Sequence, residues 1–207
     1  MGGLAEAMIR DAARAVVARD VALAETVIER DLEMDRLESE IERNAVRMLA
    51  LRQPMASDLR NVIGAIKLSG GIERIGDLAK NIARRSIAVA DEDNRTTLRG
   101  IERMGQAVSR MLQVSLDAYA RRDPVTALSV LDQDDDIDSH YNSLLRTMLV
   151  FMAEEPDQLH ARSNFIFIVK NLERIGDHCT NIAKVVHFIA TGQQVDDIRH
   201  APDPQQE

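Results

Sequence analysis

Glu73-Arg74-Ile75-Gly76-Asp77, followed by Asn81-Ile82-Ala83, returns 100 residues later as Glu173-Arg174-Ile175-Gly176-Asp177, followed by Asn181-Ile182-Ala183. Eight of the eleven positions in this stretch are identical, and each copy carries an acid pair spaced E-x-x-x-D. In a helix, residues four apart stack on one face, so each copy presents two carboxylates side by side. Like charges at that spacing destabilise an isolated helix by about 0.2–0.5 kcal/mol, a penalty that a shared cation removes. The stretch therefore describes a duplicated helical unit with a duplicated acidic site.

The repeat extends outward from this motif. Asp20, Ala24, Val27, Asp31 and Asp35 match Asp123, Ala127, Val130, Asp134 and Asp138 at an offset of 103. The offset falls to 100 at the motif, which predicts a shorter connection between the last two helices of the second half. Apolar periodicity between breakers predicts six helices, at about 3–18, 21–51, 57–89, 96–121, 124–154 and 159–190. Asp20 and Asp123, the latter followed by Pro124, are placed as N-caps, with Ser57 and Asp157 where the third and sixth helices begin. Gly192 is placed as a C-terminal stop.

Short connections imply antiparallel neighbours. The expected fold class is all-α: two tandem pseudo-symmetric three-helix bundles, the first repeat over 1–90 and the second over 95–191. The polar segment 192–207 is expected to be disordered. The first helix is shortened, at roughly 16 residues against roughly 26 for its counterpart. Met1-Gly2-Gly3 aligns with Met104-Gly105-Gln106 in the middle of that counterpart, so either the helix is short or the true start lies upstream of Met1.

Composition agrees with this reading. Of 207 residues, 45% are hydrophobic, enough for a core, whereas aromatics are only 3% and Trp is absent. Helix formers dominate, and the five prolines at 54, 124, 156, 202 and 204 leave long stretches free of breakers. A net charge of −8 argues against a general nucleic-acid binder, which shows a basic face or stripe. The single cysteine, Cys179, has no partner for an intramolecular disulfide and is expected to act as a small buried hydrophobe. No run approaches a membrane span, and the start lacks a basic-then-apolar leader, so a cytoplasmic location is expected.

The acids admit two readings, solvated helix-surface charges or a site. At about 100° per residue, Leu59, Val62 and Ile66 fall within roughly 40° of Glu73, and Asp77 lies on the same stripe. Ala24, Val27 and Ile28 align likewise with Asp31, and Ala127, Val130 and Leu131 with Asp134. The acids thus extend an apolar stripe, while Leu68, Ile72, Ile75, Ala79 and Ile82 form a second apolar face. Antiparallel packing of the two acidic helices of one half brings two acid pairs together. An all-oxygen cluster of that kind suits Mg²⁺, Mn²⁺, Ca²⁺ or iron. Gly76 and Gly176, unfavourable inside helices, permit close approach of a neighbouring helix. Arg74 and Arg174 either clamp nearby acids or make ordinary surface ion pairs.

Other chemistries find less support. No Glu has His three residues later, which removes the usual di-iron carboxylate signature. The histidines at 140, 160, 178, 187 and 200 show no ligand spacing, and there is no P-loop, G-x-G-x-x-G or G-x-S-x-G. Met48, Met104, Met111, Met148 and Met152 are expected as core filler. A two-metal phosphoester or polyphosphate hydrolase and a plain metal-storage or scaffold bundle stand as alternatives to an adaptor.

At the paired E-R-I-G-D motifs the chain closely resembles the PhoU family of bacterial phosphate-specific transport. Arg52-Gln53-Pro54, Ser57-Asp58-Leu59-Arg60 and Asp117-Ala118-Tyr119-Ala120 extend the resemblance over about residues 1–192, in the family's tandem order. What the resemblance implies is a non-enzymatic, cytoplasmic and often homodimeric regulator. It implies repression of the phosphate-starvation response when phosphate is plentiful, through contacts with the ATPase subunit of the phosphate ABC importer and with a membrane sensor histidine kinase. Membrane association would then be indirect, through those partners, and nucleic acid would not be one of them. It also implies carboxylate sites for Mg, Mn or Fe, which carry over to Glu73, Asp77, Glu173 and Asp177, with Asp31, Asp35, Asp134 and Asp138 on the partner helices. The short first helix departs from the family pattern.

Overall fold

The computed structural model of the chain describes residues 1–92, 95–154 and 159–195. They form six helices: α1 (Gly2–Ala18), α2 (Val21–Arg52), α3 (Ser57–Ala88), α4 (Arg95–Arg121), α5 (Pro124–Glu154) and α6 (Leu159–Thr191). Every helix end lies within one residue of the position predicted from periodicity. The reason is local punctuation. Asp20 accepts the Leu23 N–H at 2.9 Å at the start of α2. At the start of α5, Asp123 accepts the Val125 and Thr126 N–H groups at 3.0 and 3.1 Å and the Thr126 hydroxyl at 2.6 Å. Gly192, at φ 79°, turns the chain out of α6 while its N–H bonds the Phe188 carbonyl at 2.8 Å. That left-handed turn is one that glycine enters without a Cβ penalty.

The start of α3 follows another pattern. Ser57 is its first residue, and Ala56, at the N-cap, contributes no side-chain hydrogen bond. Asp157 and the tail from 196 onward lie outside the described residues. The offset change between repeats also has a different origin from the expected short connection. Residues 53–56 and 155–158 separate the last two helices of each half, four residues in both. The shift is absorbed inside helices: the motif begins 16 residues after the start of α3 but 14 after the start of α6.

Each half is a three-helix unit, and the two halves are joined along α3 and α6, the most extensively packed pair. These two helices run antiparallel: Gly64 of α3 faces Ile189, and Gly71 faces Ile182. Arg85 bridges the same seam, donating to the Asn164 side chain at 2.9 Å and stacking 4.1 Å over Phe167. Buried side chains from all six helices form one continuous core. α1, at 17 residues against 27 for α4, lies against α3 and α4.

The second apolar face of α3, Leu68, Ile72, Ile75, Ala79 and Ile82, is buried throughout, and Met104, Met111 and Met148 are core residues as expected. Met152 is half-buried, and two further expectations shift. Leu59 is 37% exposed and Met48 42%, both near the α2–α3 tip. Among the described residues no helix is long and apolar enough to cross a membrane.

Candidate metal centre

The acids sit on the outer seams, between α2 and α3 in the first repeat and between α5 and α6 in the second. In the first repeat the antiparallel register sets Met34 against Gly76 and Glu38 beside Gly70. The same register carries Asp31 to the Asp77–Lys80 turn of α3 and Asp35 towards Glu73. Asp31 is buried, Glu73 and Asp77 are half-buried, and Asp35 is exposed. In the second repeat, Asp134 Oδ1 and Ile137 lie against Gly176. Asp134 and Glu173 are half-buried there, and Asp138 and Asp177 are exposed. Both glycines thus allow the close approach expected of them, since a Cβ at Gly76 would stand 3.1 Å from Met34 and one at Gly176 3.2 Å from Asp134.

The electrostatics of the two seams differ. Lys80 reaches from α3 across to α2, donating to Asp31 Oδ2 at 2.6 Å and to Asp77 Oδ1 at 2.5 Å. Burial alone would lower its pKa, but the bonds to Asp31 and then Asp77 outweigh this and hold it above the usual lysine value. Further along the seam, burial and the neighbouring Asp77 and Glu38 push Glu73 up. Glu38 rises too, through burial and the nearby Glu42 and Asp35. Arg74 stands 3.7 Å from Glu73 and is mostly exposed, an ordinary surface ion pair.

Among the described residues, no cation bridges the facing aspartates of the second seam. Burial, then Asp177, Asp138 and Glu173, push Asp134 up to about 6. Lys170 stands at the other end, 2.5 Å from Glu173 Oε1 and 5.2 Å from the Tyr141 ring centroid. Glu173 Oε2 is buried without a hydrogen-bond partner. Cys179 is fully buried, and that burial, with Asp134 nearby, pushes its thiol up, away from any nucleophilic role. His178 is pushed down by burial and by Arg174 and Arg74, which places Arg74 of α3 beside the α6 motif.

These observations test the fit of a metal ion in each repeat. Among the described residues no three His, Cys, Asp or Glu side chains converge tightly enough to hold a metal as they stand. By donor chemistry the second repeat fits a hard cation, with oxygen donors only and an Asp134 that resists ionisation. A buried carboxylate oxygen without a hydrogen-bond partner is common to both repeats, Glu173 Oε2 in the second and Asp31 Oδ1 in the first. The Asp31–Asp77 position of the first repeat does not, because an ammonium already stands there. Lys80 is the residue that sequence reasoning missed. Its signal lay among the three unmatched positions of the motif, where Lys80 faces Thr180 in the alignment. A separate cleft of about 390 Å³ between α1 and α4, bordered by Arg10, Arg14, Arg110 and Glu102, includes none of the eight carboxylates.

Comparison with known proteins matches this architecture. The model of the PhoU domain family matches residues 1–86 and 101–186, one copy per repeat. The chain is 45% identical over 196 residues to the phosphate-specific transport system accessory protein PhoU homolog of Caulobacter vibrioides, covering 94% of this chain and 85% of that protein. Its counterpart of the same name from Pseudomonas aeruginosa is 40% identical over 203 residues, with 97% and 82% covered. Among solved structures, the crystal structure of PhoU from Pseudomonas aeruginosa superposes with a TM-score of 0.90 at 39% identity, covering 93% of each chain. The phosphate transport system regulatory protein PhoU from Streptococcus pneumoniae gives 0.85 at 29%, covering 94% of this chain and 92% of that one. With both repeats matched in order and the six-helix fold shared, the chain belongs to the PhoU family.

Proposed function

We propose that this chain is a non-enzymatic accessory regulator of phosphate transport, acting in the cytoplasm. In this reading it restrains phosphate uptake and the phosphate-starvation response when phosphate is plentiful. It does so as an adaptor between the ATPase subunit of the phosphate ABC importer and the sensor histidine kinase, as a homodimer. The observation that carries the reading is the match of both repeats, at 45% identity over nearly the whole chain, to a protein named for the phosphate-specific transport system. A fused pair of bundles with one rigid core suits an adaptor, since a switch then arises from differential binding to partner states.

Metal enters this reading as a structural ion. A Mg²⁺, Mn²⁺ or iron ion held by Asp134, Asp138, Glu173 and Asp177 would supply positive charge to a seam that otherwise holds facing, partly desolvated carboxylates. The chain's own residues set what such an ion meets. Gly176 lets α5 approach, Asp134 offers an oxygen over the α6 backbone, and Lys170 holds Glu173 from the far side.

Deletion of the gene tests the regulatory reading directly. In high phosphate, starvation genes are expected to be switched on and labelled-phosphate uptake to rise, with both reversed by the intact gene. Starvation genes that stay repressed, with uptake unchanged, would overturn it.

A further inference from the structure

The two motif copies differ at only three positions, and one of them changes the charge: Lys80 against Thr180. At the other end of each seam the difference is reversed. Gly70 and Glu38 of the first repeat align with Lys170 and Tyr141 of the second, at offsets of 100 and 103. Lys80 and Lys170 therefore stand at opposite ends of the two acid clusters.

The two lysines are not equivalent. The Lys80 side chain is 15% exposed and bridges two helices, with Asp31 on α2 and Asp77 on α3 as partners. The Lys170 side chain is 43% exposed and bonds one acid of its own helix. Asp31 is 8% exposed, so water cannot replace what Lys80 supplies to it. Thr180, where Lys80 would stand, turns its hydroxyl to the Asp177 carbonyl at 2.8 Å and brings no charge to the aspartates.

We propose that Lys80 is a tethered cation occupying the metal position between Asp31 and Asp77, so that the repeats have diverged and a hard divalent ion enters only the second. An ion entering between Asp31 and Asp77 has to evict a half-buried ammonium and leave it without its two acceptors. In the second repeat the same place offers carboxylates, and among the described residues the lysine on that seam, Lys170, bonds Glu173 and neither aspartate. The acids left over in the first repeat, half-buried Glu38 and Glu73 and exposed Asp35, stand one turn further along the seam, where Arg74 lies 3.7 Å from Glu73. This inference rests on the second repeat being a metal site, so its test separates the two.

Exchange of the two residues provides that test. Mn²⁺ binding, counted by electron paramagnetic resonance of the free ion, is measured on the wild type, Lys80→Thr, Thr180→Lys and the double exchange. One, two, no and one bound ions are expected, respectively. Two ions on the wild type, or a Lys80→Thr variant that still takes one, would overturn the proposal. If none of the four proteins binds Mn²⁺, the metal reading of the second repeat fails, and the role of Lys80 is decided by melting in chelator. There Lys80→Thr is expected to melt lower by about 2–6 °C, and an unchanged melting temperature would overturn Lys80 as the resident cation.

Discussion

Gly176 lets Asp134 rest directly against the α6 backbone: a Cβ at that glycine would stand 3.2 Å from Asp134 Oδ1 and 3.4 Å from Ile137. The absent side chain is what brings the carboxylate to the motif. Gly176→Ala gains helix propensity of about 1 kcal/mol but displaces the carboxylate. Melting temperature is expected to stay within about 3 °C of wild type. Mn²⁺ affinity, measured by calorimetry, is expected to fall about tenfold.

The other motif glycine carries the opposite expectation. At Gly76 a new Cβ meets Met34, at 3.1 and 3.3 Å from Cγ and Cε, so this flexible but fully buried side chain has to shift by a few tenths of an ångström. Gly76→Ala is expected to raise stability by up to about 1 kcal/mol. At Gly64 the Cβ runs into Ile189 in the α3–α6 seam. Overpacking there is expected to destabilise by about 1–3 kcal/mol, so in thermal melts Gly64→Ala should fall well below Gly76→Ala. The reverse order would contradict the packing of that seam.

Asp134 makes metal-free protein sensitive to mild acid. Burial and the neighbouring carboxylates raise its folded pKa to about 6, above the ordinary aspartate range. Above pH 6 both states are ionised and the folded state bears the full repulsion. As pH falls through 6 the folded form takes up the proton first, so stability from this group rises and levels off below the unfolded value. Unscreened, two pKa units correspond to about 3 kcal/mol. Partial exposure reduces this to about 1 kcal/mol. With chelator present, melting temperature is expected to rise from pH 7.5 to pH 5.0, and Asp134→Asn to flatten that rise while stabilising the protein at pH 7.5.

Caps at equivalent places differ in strength. Asp20 satisfies one backbone N–H, whereas Asp123 satisfies two and a hydroxyl, and its bonds to Thr126 hold its carboxyl below the usual range. Asp20→Ala is expected to cost about 1 kcal/mol at neutral pH. Asp123→Ala should lower the melting temperature further. The stabilisation from Asp123 is present above the unfolded pKa and lost as pH falls through the lowered folded one, so acid should erase the difference between wild type and Asp123→Ala.

Helix ends were legible because each rests on a signal a few residues long: Asp20, Asp123-Pro124 and Gly192 act through bonds to their immediate neighbours. The eight acids were legible as pairs, because four-residue spacing fixes a shared face whatever the tertiary structure. Lys80 was not legible as their partner, since its bond to Asp31 spans 49 residues and depends on the α2–α3 register. Met48 and Leu59 misled for the same reason. Their periodicity marks an apolar face, while burial is decided by where the neighbouring helices stop. The α3–α6 seam left no local trace beyond small residues at Gly64 and Gly71.

One continuous core beneath both repeats has a consequence for how the molecule comes apart. Neither half can melt while the other stays whole, because α3 and α6 serve as walls for each other. Calorimetry should therefore record one endotherm with matching calorimetric and van't Hoff enthalpies. The same sharing gives the duplicated sites unequal freedom to drift. Side chains on the outer seams can be exchanged, a lysine here and a threonine there, while the inner faces of α3 and α6 remain bound to one another's shape.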